Sequence, residues 1–210
     1  MIDLYTWSTP NGRKVSILLE DLELPYEVHA VDIGKDEQYD PEFLEISPNN
    51  KIPAIVDRDN GMKLMESAAI MIYLAEKTAS PLWPTEMEPR FDVLQWLMMQ
   101  MGSVGPMLGQ THHFVKFHPG EAPYAEQRYR KENARIYAVL DRQLGKRAYL
   151  AGDLSIADLA TWPWISRFEW QEMDLGAYPN LERWYVDIAE RPATRRGYDV
   201  PKRGFEIPLP

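Results

Sequence analysis

A short polar turn near the start of the sequence combines residue types that could stabilise an anion or a thiolate. Residues 8–12, Ser-Thr-Pro-Asn-Gly, follow a run of β-formers and precede an amphipathic segment. The pattern predicts a strand, this turn and a helix, whose N-terminal N–H groups and partial positive charge would favour an anion. Ser8, Thr9 and Asn11 add side-chain donors. These residue types are also ordinary helix caps, so the turn alone does not establish a site.

The segment Asn50-Lys51-Ile52-Pro53 is a second candidate, because it opens a predicted strand. If the bond before Pro53 is cis, the backbone N–H and C=O of Ile52 could pair with an extended peptide ligand, as in strand addition. A trans proline at an edge strand is the alternative, and the residues leave both open.

Glu66 and Ser67 form a third candidate at the start of an apolar helical segment. Helix N–H groups and a serine hydroxyl can hold a carboxylate, while a glutamate can accept hydrogen bonds from an ammonium group. The pair would therefore suit an amino-acid head group, which carries both charges. Glu-Ser is also a common helix start, so this signal is weak on its own.

Hydrophobic periodicity indicates the elements that would position these segments. The predicted strands cover residues 2–7, 26–31, 54–56 and 62–65, and the predicted helices between and after them cover residues 14–24, 41–46 and 67–77. After a proline-rich linker at residues 78–89, helical periodicity recurs at residues 90–101, 124–144, 156–173 and 181–190. We expect an α/β domain of order βαβαββα at residues 1–80 and an all-α domain at residues 86–210, with an irregular tail after Arg196.

Composition restricts the chemistry. The chain of 210 residues has no cysteine and a formal net charge of −9, so any thiol must come from a bound molecule. The acidic balance argues against nucleic acid as a partner. The longest apolar run is also too short to span a membrane, and we expect a cytoplasmic protein without a membrane partner.

Four other patterns are interpreted as structural, and no metal site is predicted. They are a hairpin turn with a superficial likeness to a calcium loop at residues 57–61, a glycine-rich helix interruption at residues 102–109, the histidines His112, His113 and His118, and a capping box formed by Ser155 and Asp158.

Several of these motifs together carry a family resemblance. The runs Pro-Asn-Asn-Lys-Ile-Pro-Ala-Ile-Val-Asp at residues 48–57, Glu-Ser-Ala-Ala-Ile at 66–70 and Ser-Ile-Ala-Asp at 155–158 resemble the cytosolic glutathione transferases. Thr-Pro-Asn-Gly at residues 9–12 and the stretches at residues 105–114 and 124–129 resemble the Nu class, which includes bacterial glutathione-dependent disulfide-bond oxidoreductases. The glutathione-transferase-like yeast nitrogen regulator is a related alternative.

The resemblance implies a thioredoxin-like N-terminal domain followed by an α-helical domain, usually as a homodimer, with reduced or oxidised glutathione as co-substrate. By matching position, Ile52 would pair through its backbone with the cysteinyl part of glutathione after a cis Pro53. Glu66 and Ser67 would hold the γ-glutamyl ammonium and carboxylate. Further contacts, with the same or a second glutathione unit, are implied for Asn11, Gln38, Lys51 and Arg128.

In the Nu class, Thr9 and Asn11 would stand near the sulfur, where other classes use Tyr, Ser or Cys. Ser8 departs from the family pattern and leaves open which hydroxyl contacts the sulfur. Each hydrogen bond to a charged group contributes about 1.5–3 kcal/mol, so one or two could lower the thiol pKa by about one to two units.

The resemblance therefore implies an enzyme that reduces small disulfides with glutathione. A glutathione transferase or peroxidase acting on electrophiles or hydroperoxides is the first alternative. A non-catalytic glutathione-binding regulatory module is the second.

Overall fold

The computed structural model describes all 210 residues, and the chain forms two compact units. The first unit comprises Met1–Trp83 and Glu190–Ile207, and the second comprises Pro84–Ala189 and Pro208–Pro210. The segment Glu190–Ile207 thus packs with the first unit, whereas residues 86–210 are predicted from the sequence to form the helical domain.

The first unit is built on a mixed four-stranded sheet. Its strands are β1 (Ile2–Thr6), β2 (Tyr26–Ala30), β3 (Ala54–Asp57) and β4 (Met62–Met65). Its first three helices are α1 (Pro10–Asp21), α2 (Pro41–Leu44) and α3 (Ser67–Lys77). The strand order is β2-β1-β3-β4, with β1 parallel to β2 and antiparallel to β3, and β3 antiparallel to β4. This is the predicted thioredoxin-like βαβαββα arrangement.

The core of this unit lies where α1 and α3 pack on the sheet. Apolar side chains that are fully or almost fully buried come from β1, β3 and both helices: Ile2, Leu4, Ile55, Val15, Leu18, Leu19, Ile70, Met71 and Leu74. The helical spacing of the α1 and α3 residues places them on one face of each helix, so this burial explains why the sequence folds locally as it does.

The register of the sheet aligns three turns at one end. Tyr5 pairs with Ala54, and Ala54 pairs with Met65. The turn after β1, the segment before β3 and the residues after β4 therefore all leave the sheet at the same end. At the other end, Ile2 and Met62 both pair with Asp57.

The second unit is helical. Its helices are α4 (Met87–Met99), α5 (Gly105–Thr111), α6 (Pro123–Leu144), α7 (Ile156–Ile165) and α8 (Pro179–Glu190, whose last residue is counted with the first unit). Two π-helical segments, Gln100–Val104 and His112–Phe117, flank α5. The predicted helix at residues 156–173 is shorter than expected, because α7 ends at Ile165 and a separate 3-10 turn covers Phe168–Gln171. No helix has the combination of length and apolar character needed to cross a membrane.

The capping box predicted at the start of α7 is confirmed and has a wider role. Asp158 Oδ2 accepts hydrogen bonds from the backbone N–H and the hydroxyl of Ser155, at 3.0 and 2.9 Å. Its Oδ1 accepts from Leu150 N–H and Trp184 Nε1, both at 2.9 Å. Through these hydrogen bonds one buried carboxyl group joins α7, α8 and the loop before α7. Burial raises the pKa of Asp158, and the hydrogen bonds oppose this shift.

Two glycines of the glycine-rich interruption, Gly105 and Gly109, lie close to neighbouring side chains. A Cβ at Gly105 would lie 3.0 Å from Gln100 Nε2 and 3.3 Å from Trp164 Nε1. A Cβ at Gly109 would lie 3.2 Å from the Trp164 ring. These glycines admit the large Trp164 ring next to α5.

A ninth helix, α9 (Pro192–Tyr198), extends two residues into the tail that was expected to be irregular after Arg196. It packs on α1: Arg13 Nε donates to the carbonyl oxygen of Tyr198 at 2.8 Å, and Ser16 Oγ donates to that of Gly197 at 2.6 Å. A Cβ at Gly197 would lie 2.5 Å from Ile17 Cα. These contacts join distant parts of the chain, which local periodicity does not record.

Asp57 ties the last turn of α3 to the end of the sheet opposite the three turns. Its carboxylate accepts hydrogen bonds from Lys77 Nζ at 2.8 Å and from the Tyr73 hydroxyl at 2.5 Å. Burial alone would raise the pKa of Asp57, but these hydrogen bonds outweigh burial and lower the pKa to about 2. The ionised form is thus strongly favoured in the folded protein.

We expect Asp57→Asn to lower the free energy of unfolding at pH 7 by about 1–3 kcal/mol, because it removes a charged acceptor from three donors, which are Lys77 Nζ, the Tyr73 hydroxyl and the Asp59 N–H. A folded-state pKa below the unfolded value of about 3.9 means that the stabilisation is present above about pH 4 and is lost as the pH falls towards 2. Urea unfolding between pH 2 and 7 should show that the free energy of unfolding falls less steeply towards low pH in the variant than in wild type. Asp59→Asn, which removes an exposed partner of the same Lys77, is the control, and it should change stability much less. The same acid-side slope in wild type and Asp57→Asn would contradict this account.

Gly12 permits the close approach of the β1–α1 turn to the helix. A Cβ there would lie 2.2 Å from the carbonyl oxygen of Trp7 and 2.5 Å from Thr6 Oγ1. We expect Gly12→Ala to displace the turn and to lower the free energy of unfolding by about 1–3 kcal/mol. Gly102→Ala is the control, because no atom lies within 4 Å of its added Cβ. Urea denaturation of both variants checks this, and equal stabilities would be the contrary result.

Candidate functional site

The turn after β1 presents Thr9 at the N-cap of α1. Its Oγ1 accepts the N–H of Gly12 at 3.1 Å, so the hydroxyl can donate its own hydrogen to another acceptor. Thr9 and Asn11 are half-buried. Ser8, in contrast, is buried, and its Oγ is shielded from solvent without a hydrogen-bond partner. Of the two neighbouring hydroxyls, Thr9 is therefore the one that is accessible to a ligand.

The segment before β3 has the cis bond between Ile52 and Pro53. Both ladders of β3 begin at Ala54, so the main chain of Ile52 lies beyond the pairing of the sheet. Ser47 Oγ donates to the carbonyl oxygen of Lys51 at 2.8 Å and holds the preceding loop, while the Lys51 side chain is exposed. The arrangement leaves Ile52 placed to continue a ladder with an added extended chain.

Glu66 and Ser67 join β4 to α3. Glu66 is exposed and adopts φ 68° and ψ 111°, a conformation that costs a residue other than glycine about 1–3 kcal/mol and is concentrated at functional sites. Ser67 is the first residue of α3 and is only 4% exposed. A glutamate with a strained backbone thus lies next to a buried hydroxyl at a helix N-terminus.

Lys14, which the sequence patterns did not single out, lies next to Ser67. It is 1% exposed, and its Nζ donates to Ser67 Oγ at 3.2 Å. Burial lowers the pKa of Lys14 to about 7, and the nearby charge of Glu66 opposes this shift. One signal was available: Lys14 precedes Leu18 by four residues, which places it on the apolar face of α1.

Two predicted residues lie outside this group of turns. Gln38 belongs to the 3-10 turn Glu37–Tyr39, and its Nε2 donates locally to Asp36 at 3.3 Å. Arg128 is exposed on α6 in the second unit, where it lines a cavity of about 710 Å³ with residues that include Met107 and Tyr124.

The end of the sheet therefore collects Thr9, Asn11, Ile52, Glu66 and Ser67. The N-termini of α1 and α3 and the ammonium group of Lys14 make this end favourable to anions, and Glu66 supplies one acid for a cation. The arrangement can hold an amino-acid head group, an extended main chain and an anionic sulfur. Because the chain has no cysteine, that sulfur belongs to a ligand.

His112 is a buried residue at the start of the π-helical segment His112–Phe117. Its ring stacks with Trp164 at 5.7 Å between centroids, and Gln171 Nε2 lies 3.2 Å from its Nε2. Burial, with a smaller effect of the Arg167 charge, lowers the pKa of His112 to about 4. Its imidazole is therefore neutral at physiological pH.

A cluster of ionisable side chains that no sequence motif indicates lies on β1 and β2. Ligand atoms of Asp3, Glu27 and His29 are within 4.8 Å of one another. Arg58 donates to both carboxylates at 2.5 Å, and it lowers the pKa of Asp3. The cluster is accordingly an ion-pair network around a guanidinium.

Family models match both parts of the chain. The glutathione S-transferase N-terminal domain matches residues 1–76, and the glutathione S-transferase C-terminal domain matches residues 92–192. Among curated relatives, the disulfide-bond oxidoreductase YfcG of Escherichia coli is 50% identical over 200 residues, which cover 92% of this chain and 93% of that protein. The disulfide-bond oxidoreductase YghU of the same organism is 35% identical and is matched over 93% of this chain and 73% of its own length.

Solved structures agree with the sequence relatives. A glutathione transferase from Burkholderia graminis, with two glutathione molecules bound per subunit, has a TM-score of 0.90 and 43% identity over 97% of this chain and 89% of that chain. A glutathione transferase from Pseudomonas putida, with one glutathione disulfide bound per subunit, has a TM-score of 0.88 and 40% identity over 95% and 91% of the two chains. With the βαβαββα unit, the helical unit and these relatives, the chain belongs to the glutathione transferase family.

Proposed function

We propose that this protein is a glutathione-dependent disulfide-bond oxidoreductase that works without a cysteine of its own. The observation that carries the proposal is the shared register of Tyr5, Ala54 and Met65, which brings the three turns to one end of the sheet. Relatives named disulfide-bond oxidoreductases support the proposed reaction. Related structures that hold two glutathiones or a glutathione disulfide support the proposed co-substrate.

Each turn takes one part of glutathione in this proposal. The main chain of Ile52 continues the β3 ladder with the cysteinyl residue of the ligand. Glu66 accepts from the γ-glutamyl ammonium group, and Ser67 with the N-terminus of α3 takes the γ-glutamyl carboxylate. The charges of the head group and of the site then alternate in sign.

Thr9 and Asn11 stabilise the glutathione thiolate in this proposal. Because Thr9 Oγ1 already accepts the Gly12 N–H, its hydroxyl hydrogen can be donated to the sulfur, and the N-terminus of α1 adds a favourable field. A free thiol has a pKa near 8.5, and only the thiolate attacks efficiently. Donors that favour the anion lower this pKa and increase the reactive fraction at neutral pH.

The reaction is thiol–disulfide exchange between ligands. The thiolate attacks one sulfur of the substrate disulfide, a glutathione–substrate disulfide forms, and the other substrate sulfur leaves as a thiolate that takes up a proton. A second glutathione thiolate then attacks the glutathione sulfur of this mixed disulfide, which yields glutathione disulfide and releases the second substrate thiol. Two glutathiones are oxidised, one disulfide is reduced, and the protein gains and loses no electrons.

The remaining predicted residues are assigned to outer contacts. We assign Lys51 to a ligand carboxylate, and Gln38 and Arg128 to further parts of glutathione or to a second glutathione unit. We also propose that the protein acts in the cytoplasm as a homodimer. Light scattering during size-exclusion chromatography measures the oligomeric state directly.

A glutathione transferase or peroxidase is the second candidate, and the names of both matching family models favour it. In that case the same thiolate site would attack an electrophilic carbon or a hydroperoxide. A glutathione-binding module without turnover is the third.

We expect the protein to reduce a small dialkyl disulfide with glutathione, measured as NADPH consumption in the presence of glutathione reductase. The rate with an aromatic electrophile or an organic hydroperoxide should be lower by about tenfold or more on the kcat/KM scale. No disulfide turnover, together with conjugation or peroxidase activity, would replace the first proposal by the second. Glutathione binding without any turnover would leave only the binding module.

We expect Thr9→Ala and Asn11→Ala each to lower kcat for disulfide reduction at pH 7 by about tenfold or more, because a hydrogen bond to a charged group contributes about 1.5–3 kcal/mol. The acid side of the kcat profile should move up by about one to two pH units. The pH profile at saturating glutathione, and the ultraviolet absorbance of the bound thiolate, provide the measurements.

Thr9→Ala also removes a helix cap, which is worth about 1 kcal/mol. Ser155→Ala removes the cap of α7 and is the matched control. It should lower the stability of the protein and leave the acid side of the kcat profile unchanged. Thr9→Ser keeps the hydroxyl and should behave like the wild type. An unchanged profile in Thr9→Ala and Asn11→Ala would show that the assigned thiolate site is wrong.

A further inference from the structure

Lys14 is a buried ionisable group of the first unit that the proposed chemistry has not yet used. It is 1% exposed, on the face of α1 that packs against α3, and its Nζ lies 3.2 Å from Ser67 Oγ. Removing an ammonium group from water is unfavourable unless it is paired and hydrogen-bonded, and the pKa of Lys14, lowered to about 7 by burial, records this penalty. A methionine or leucine would fill such a position without it. The hydrogen bond to Ser67 places this charge next to the start of α3 and indicates its role.

The direction of the Lys14–Ser67 hydrogen bond follows from the chemistry of the two groups. An ammonium group only donates, whereas a hydroxyl both donates and accepts. Ser67 Oγ is therefore the acceptor when Lys14 is protonated, and its own hydrogen is directed away from Lys14. Thr9 has the equivalent arrangement, because its Oγ1 accepts the Gly12 N–H.

We infer that Lys14 is a positioning residue that gives the site its specificity for the γ-glutamyl α-carboxylate, by fixing Ser67 as a donor and by supplying a positive charge behind it. This inference rests on the proposed binding of glutathione. Lys14 itself is too buried to touch the ligand, so it acts through the hydroxyl of Ser67. In the same proposal Glu66 accepts from the ammonium group of the head group, so each charge of the ligand has a residue of opposite charge assigned to it.

The test uses two ligands that differ only in this carboxylate. S-methylglutathione has a blocked thiol, so exchange chemistry does not contribute to the measurement. Its counterpart, S-methyl γ-aminobutyryl-cysteinylglycine, lacks the α-carboxylate and keeps the ammonium group. Calorimetric titration of each ligand into wild type and Lys14→Met gives four dissociation constants.

We expect Lys14→Met to raise the dissociation constant of S-methylglutathione about tenfold to a hundredfold. This is the range that one hydrogen bond to a charged group contributes. The ligand without the carboxylate should bind both proteins with affinities that agree within about twofold. A loss of equal size for the two ligands would show a merely structural role for Lys14, and no loss for either would show no role. Both outcomes overturn the inference.

Lys77→Met is the matched control, because it removes a hydrogen-bonded lysine at the other end of α3. It should leave the affinity of both ligands within about twofold of wild type. In the Ser67→Ala background, Lys14→Met should have little further effect on S-methylglutathione, since the two residues act as one unit.

A measurement on the wild-type protein covers the case in which Lys14→Met does not fold. The side-chain NMR resonances of Lys14 report its pKa, which should rise on binding S-methylglutathione, because a nearby anion favours the ammonium form. The ligand without the carboxylate should produce no comparable rise, and an equal rise with both ligands contradicts the inference. If wild type binds neither ligand, the proposed function fails instead, and the failure is separate from any role of Lys14.

Discussion

Antiparallel pairing of β3 with both β1 and β4 is the constraint on which the site depends. Ala54 lies between Tyr5 and Met65 in this sheet, so three turns that are distant in sequence emerge together. Side chains on opposite faces of a strand exchange places when the register slips by one residue. A slip would expose Leu4 and Ile55, which are fully buried. The hydrophobic core thus fixes the register, and the register fixes the site.

The two ends of the sheet have different electrostatic roles. At one end, Asp57 is ionised and hydrogen-bonded to Lys77 and Tyr73, and this pairing holds the last turn of α3. At the other end, the start of α3 and the buried Lys14 form a region that favours an anion. A chain with a net charge of −9 must attract an anionic tripeptide through such local features, because its overall field is repulsive. The missing cysteine fits the same arrangement, since the reactive sulfur is brought in by the ligand.

Much of the fold could be predicted from local patterns. The residues of β4 and α3 have the predicted bounds, and α6 differs by one residue at its start. The capping box at Ser155 was also predictable, because its donors and acceptors lie within three residues. The predictions fail where distant contacts decide the structure. The extension of α9 to Tyr198 depends on its packing against Arg13 and Ser16, and no periodic signal in so short a segment records those contacts.

The sequence is sufficient to predict the kind of fold, the lack of a protein thiol and the candidate turns, because each follows from composition, spacing or a local motif. It did not distinguish Ser8 from Thr9, and it gave Lys14 no role. Tertiary packing separates the two hydroxyls by exposure and places Lys14 next to Ser67, and the roles proposed for Thr9 and Lys14 are based on these two observations. Burial shields the Ser8 hydroxyl and leaves Thr9 accessible, and packing of α1 against α3 brings Lys14 to Ser67 across 53 residues of sequence. Both depend on which atoms are excluded from water, and that exclusion exists only after the chain has folded.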